Sequence, residues 1–182
     1  MATSCTNYSL AGMGQECKGA VAGLKRLLIG LSREWTVTKD DATHMVTGLQ
    51  GSQGAVFYDY YINDESSSLT STLTLNNANG VKYYQNVIAA NFVRMRPEKH
   101  LELMSLANEK LVIIAVDNNE QPWFLGVGSA ATATEETAQS GQSFDDASGY
   151  SVTLTQRGDA LPYGVQGSVM SGLSTSTPPV YE

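Results

Sequence analysis

Charge is what this sequence is shortest of. Only 16% of its 182 residues are Asp, Glu, Lys or Arg, and 18 acids against 11 bases leave a net charge of −7. A general nucleic-acid binder needs clustered bases to displace counterions from phosphates, so that class is set aside. The bases are also missing by region. No Lys or Arg falls between Asp40 and Val81 or between Leu111 and Gln156, and both stretches carry acids. Long apolar runs are absent too. Nothing approaches the roughly eighteen apolar residues a spanning helix needs, so no membrane anchor is expected. Met1 to Asn7 has neither the basic nor the apolar region of a secretory signal. Cysteine is limited to Cys5 and Cys17, too few for a disulfide framework or a zinc site. Two reduced thiols are the expectation, and a Cys5–Cys17 bridge is the alternative.

Motifs that carry chemistry are likewise missing. His44 and His100 are the only histidines. Although Asp40 and Asp41 precede His44, no Gly-x-Ser-x-Gly elbow presents a nucleophile. No phosphate-cradling glycine motif occurs, and Asp117-Asn118-Asn119-Glu120 lacks the spacing of a calcium loop. Those residue types suit a tight turn for backbone reasons. Glu135-Glu136 and Asp145-Asp146 read as solvated loop charges. No enzyme activity, metal or cofactor is expected.

What is present is β-type patterning. Hydrophobic residues make up 42%, slightly below a typical globular chain, and hydroxyl, amide and glycine residues fill the difference. The length suits one domain with loose ends: an arm over 1–19, a β domain over 20–158 and an extended or disordered tail over 159–182. Val21 to Leu31 reads as strand, since Gly23 and Gly30 weaken a helical reading. Val46–Leu49 and Ala55–Ile62 are expected to pair around Gly51–Gly54. The cluster Phe57, Tyr58, Tyr60 and Tyr61, with Tyr83 and Tyr84, reads as cross-strand partners, with a sugar platform as the alternative. Leu69–Leu75 alternates with hydroxyls, and Asn79-Gly80 turns it into a long strand from Val81. Pro97 to Asn108 is signalled as the one helix by its N-terminal proline and Glu98. Its apolar set is Leu101, Leu103, Met104 and Ala107. Leu111–Val116 and Pro122–Val127 form a hairpin, and Tyr150–Gln156 closes the unit as a third strand.

From Glu98 to Gln156, roughly the C-terminal third, this order of elements resembles the tail-tube-like subunits of tailed bacteriophages. The resemblance rests on the Leu-rich helix, the strand Leu111–Val116, the Asp-Asn-Asn turn and the aromatic strand Trp123-Phe124-Leu125-Gly126. The loop with Gly141 and Phe144-Asp145-Asp146, leading into Gly149–Thr155, completes it. It implies an antiparallel β-sandwich or barrel with one flanking helix over about 97–108. It also implies a cyclic homo-oligomer, a hexamer, in the tail or neck of a virion assembled in the bacterial cytoplasm. Partners would be neighbouring tail or neck proteins, with genomic DNA only a passing cargo. A conduit for DNA should not attract phosphates, so Asp59, Asp64, Glu65, Asp117, Glu120, Asp145 and Asp146 are candidate lumen-facing acids. A capsid decoration or host-surface carbohydrate-binding β-sandwich is the rival expectation.

Overall fold

The computed structural model describes residues 21–63, 65–143 and 145–176. The arm over 1–19, with both cysteines, lies outside them, as does the stretch 177–182. Among the described residues eleven strands form two sheets, with one helix of more than a single turn. In chain order the strands are β1 (Leu24–Leu31), β2 (Trp35–Asp40), β3 (Met45–Gly51), β4 (Tyr58–Tyr61), β5 (Ser68–Asn76) and β6 (Val81–Val93). After helix α1 (Pro97–Asn108) come β7 (Leu111–Asp117), β8 (Pro122–Leu125), β9 (Thr132–Gln139), β10 (Gly149–Gly158) and β11 (Tyr163–Val165), then the one-turn α2 (Gly167–Ser171). The first sheet has the order β2-β3-β11-β8-β7-β1-β4, the second β5-β6-β10-β9. No helix among the described residues is long and apolar enough to cross a membrane.

The unbroken apolar run of β7 has a physical cause: both faces of the first sheet are covered. Leu111, Ile113 and Ala115 enter a core shared with Ile88, Ala90, Val152 and Leu154 of the second sheet. Val112, Ile114 and Val116 point the other way, to Phe57, Phe124, Tyr163 and Val165. A strand buried on both sides loses the period-two polar alternation of a half-exposed one. The first sheet also curls. Its outermost strands approach where Trp35, opening β2, meets Phe57, just ahead of β4, at 4.4 Å between ring centroids. The sheets cross steeply. Leu24 and Asp117 are partners across β1 and β7, and the Leu24 amide donates to the Ser67 carbonyl beside the start of β5. Leu111, at the other end of β7, exchanges 2.8 Å backbone bonds with Ala131 beside β9. Both strands therefore run across the second sheet from its β5 side to its β9 side.

Several sequence expectations need correction. β3 and β4 do not pair; β3 lies between β2 and β11, whereas β4 is an edge strand on β1. The β4 tyrosines and Tyr83-Tyr84 sit in different sheets and are not cross-strand partners. β10 does not close the β7–β8 hairpin but lies between β6 and β9. The polar loop before it contains β9, a solvent-facing strand. The helix buries Leu106 and half-buries Leu103, while Leu101 and Met104 stand 69% and 63% exposed. The expected tail over 159–182 also fails for its described part. Tyr163–Val165 sits inside the first sheet, parallel to β3 and antiparallel to β8, with Tyr163 and Val165 3% exposed. That segment is held by β3 and β8, neighbours far from it in the chain, which a local composition argument cannot detect.

Candidate assembly surface

The second sheet has one dry face and one wet face, and the register assigns every strand residue to one of them. Val152 is buried, so its partners Ala90 and Glu136 share its inward face. Burial raises the Glu136 carboxyl above its ordinary range. The outward face carries the alternate positions: Ser68, Thr70 and Thr72 on β5, Gln85 and Val87 on β6, Ser151 and Thr153 on β10. Its strand residues include only two charges, Glu135 and Arg157, on β9 and β10. The result is a broad surface of near-zero charge, hydroxyl and amide on β5 and β10 and largely apolar along β6, where Val81, Tyr83, Ala89 and Val93 share it.

The two free edges of this sheet differ. β5 runs nine residues, Ser-Leu-Thr-Ser-Thr-Leu-Thr-Leu-Asn, with no charge and no proline, and it pairs only with β6. A long uncharged edge offers its free amides and carbonyls as a template for another strand. β9 carries Glu135 and Glu136, and its register slips between Thr153 and Leu154. There the Thr134 hydroxyl reaches the Thr153 carbonyl at 3.2 Å and the Thr155 hydroxyl at 3.1 Å. Neighbouring strands alternate in direction across the sheet. Four alternating strands leave β5 and β9 antiparallel to each other.

The sheet interior is pinned by a buried amide pair. Asn86 donates to the Gln156 side-chain carbonyl at 2.6 Å and to the Ala160 carbonyl at 3.3 Å, and Gln156 donates to the Val127 carbonyl at 3.4 Å. Asn86 is 1% and Gln156 4% exposed. The pair ties β6 and β10 to the segment leading into β11. At Gly149, where β10 begins, a Cβ would lie 2.0 Å from the Phe92 carbonyl oxygen, so no side chain fits there.

None of the candidate acids among the described residues is a strand residue of the wet face. Asp59 is corrected outright: its side chain is 6% exposed and locked to Arg26, with Nε–Oδ1 and Nη2–Oδ2 both at 2.7 Å. The hydrogen bond to Asp59 raises the guanidinium pKa further. Asp117 organises the β7–β8 turn, its Oδ1 accepting the Asn119 and Gln121 amides at 2.9 Å and its Oδ2 the Trp123 indole at 3.2 Å. This is the tight turn expected from the residue types. Glu120, at φ 62°, pairs with Lys25. Asp146 accepts the Gln142 and Ser143 amides at 2.7 and 2.8 Å, which holds its carboxyl below the usual range. Glu65 and Asp145 are exposed on their turns, and Asp64 lies outside the described residues. Backbone bonds from Asn118 to Gly23, Leu24 to Ser67, Asn63 to Asn91 and Arg94 to Ser148 bring these turns together. They gather where β5 begins and β6 finishes.

The histidines are packing residues. His44 stacks on Tyr163 at 4.0 Å, and His100 meets Tyr150 edge-on at 5.3 Å. No group of three or more His, Cys, Asp or Glu among the described residues could hold a metal ion. Compared with known proteins, the chain matches no family model, no curated protein and no solved structure.

The sequence reading missed the wet face itself as the surface of interest. Its signal was legible: hydroxyls alternate through both Ser68–Asn76 and Gly149–Arg157.

Proposed function

We propose that the chain is a structural virion subunit of the tail-tube-like kind, closing with copies of itself into a ring in the tail or neck. One observation carries the reading: a four-stranded sheet with a nearly uncharged face lies between two unlike free edges. Joining β5 of one copy to β9 of the next extends the antiparallel ladder without a parallel seam, and repetition around an axis gives a closed barrel. Closure of this kind removes the open edges. The wet face then lines the hole, where its low charge lets a duplex pass without capturing its phosphates. The hexameric count, the neighbouring tail proteins and assembly in a bacterial host belong to the same proposal.

The rival reading, a carbohydrate-binding sandwich, draws on the exposed Tyr58 and Tyr61, at 44% and 70%. They lie three residues apart on one strand, on opposite faces, and so do not form a single stacking platform.

Size-exclusion chromatography with mass measurement, followed by negative-stain imaging, tests the ring. Annular particles with a central hole are the expected result. A monomer at every concentration, inside particles as well as free, refutes it.

A further inference from the structure

We propose that Asn79 is a site of spontaneous covalent modification, its side-chain amide being lost to the backbone nitrogen of Gly80 through a cyclic imide. Only the turn between β5 and β6 takes part, so the chemistry is the same for a single copy as for a ring.

Nowhere else in the sequence does glycine follow asparagine. Both residues are exposed, and a Cβ on Gly80 would meet nothing within 4 Å. Its φ of 64° favours glycine, and without a side chain nothing shields its amide nitrogen from the neighbouring carboxamide. Asn76 clamps the rest of the turn. Its backbone carbonyl and its Oδ1 both accept the Asn79 amide at 3.3 Å, and Oδ1 takes the Ala78 amide at 3.1 Å. That clamp leaves the Gly80 amide out. Asn77 is exposed as well, but the amide that would attack it is the one Asn76 holds. Asn86, Asn91, Asn108, Asn118 and Asn119 donate their side-chain amides to acceptors elsewhere in the chain. The turn also stands on the least supported part of its sheet. β10 pairs with β6 from Tyr84 to Val93, so among the described residues Val81–Tyr83 is paired with Thr74–Asn76 of β5 alone. A two-stranded ribbon is marginal in water, and such an end opens ahead of the sheet it extends. Opening frees Asn79 from Asn76 and lets its carboxamide turn over the Gly80 nitrogen.

The chemistry needs only water. The Gly80 amide gives its proton to hydroxide and its nitrogen attacks the Asn79 carboxamide carbon. A carbon–nitrogen bond closes the imide ring, the side-chain carbon–nitrogen bond breaks, and ammonia leaves with a proton from water. Nucleophile and target sit on adjacent residues, so no bimolecular encounter is required. Water then opens the ring at one of its two carbonyls. One opening leaves an aspartyl side chain. The other leaves an isoaspartyl link, in which the backbone runs through the former side-chain carbon and is one carbon longer. Either product adds a negative charge to a ribbon whose single charge between Ser68 and Val93 is Lys82. The longer link also disturbs the Asn76–Val81 pair that closes the hairpin.

The test ages the purified chain in mildly alkaline buffer, with and without urea too dilute to unfold it. Peptide mass spectrometry and labelling by an isoaspartyl methyltransferase locate the products. Aspartyl and isoaspartyl forms are expected at Asn79 ahead of every other asparagine, faster as pH rises and faster again in dilute urea. Gly80→Ala should slow the change severalfold. Because alanine is strained at this φ, Asn79→Ser serves beside it: the turn is kept, the carboxamide is gone, and the gain of negative charge seen by ion exchange should disappear. Asn79 reacting no faster than Asn77 overturns the proposal, as does an undiminished rate in Gly80→Ala or an undiminished gain of charge in Asn79→Ser. A rate at Asn79 that dilute urea leaves unmoved overturns the part given to ribbon opening.

Discussion

Tyr163 offers the sharpest check on the fold, because composition assigned its segment to a loose tail. Its ring is buried beside Phe124 and stacks on His44. Its hydroxyl donates to Asp41 at 2.9 Å and accepts from Lys39 at 3.1 Å, while Lys39 and Asp41 pair directly at 2.8 Å. Tyr163→Phe keeps the ring and leaves Lys39 and Asp41 paired, so it should cost only about 1 kcal/mol. Tyr163→Ala removes the ring between β3 and β8, a change that costs about 3–5 kcal/mol in a packed core. That is a large part of the roughly 5–15 kcal/mol holding a domain together. For a chain of this size the melting temperature should fall by about 10–15 °C for Ala and about 2–4 °C for Phe. Urea unfolding followed by tryptophan fluorescence, with a thermal melt alongside, measures both. An alanine variant within about 1 kcal/mol of wild type would mean that β11 adds little to the sheet, and the extended-tail reading would return.

Further outcomes follow from other contacts. Arg26→Ala leaves the Asp59 carboxylate buried without its partner, and should cost about 2–3 kcal/mol given the partly exposed guanidinium. A double-mutant cycle with Asp59→Ala should show the two losses to be less than additive. Gln156→Leu strips Asn86 of its closest acceptor inside the sheet and should cost about 1–3 kcal/mol by urea titration. Asp40, Asp41 and Asp146 have lowered pKa values, owing first to the Thr43 hydroxyl, the Lys39 ammonium and the Ser143 amide respectively. Groups depressed in the folded state stabilise it above the ordinary carboxylate value, about pH 4, and that contribution fades as pH falls through their lower native values. Melts between pH 5 and pH 2, as an order-of-magnitude window, should show this decline, reduced in Asp146→Asn. Ser151→Lys with Thr153→Lys places cations on the wet face; assembled particles should then retard duplex DNA in a gel at low salt, as the wild type does not. Equal mobility of both would argue against that face lining the hole.

Local pattern alone determined much of this protein. The apolar run of β7, the turn at Asp117, the hairpin through Asn79-Gly80 and the proline-led α1 were all readable. Each is specified by neighbours a few residues away, through side-chain alternation, turn chemistry or capping. Tertiary structure decided which edges met. β9 passed for loop because one side of it is solvent and its residues are almost all polar. β11 passed for tail because its burial is supplied by β3 and β8, distant in the chain. Asp59 looked like a free acid until β4 settled against β1 and Arg26 came within reach, and the helix ridge at Leu101 looked like core until the sheet took Leu106 instead. Strand identity is a short-range property of side chains, whereas pairing partners and buried faces depend on the whole chain burying its apolar surface at once.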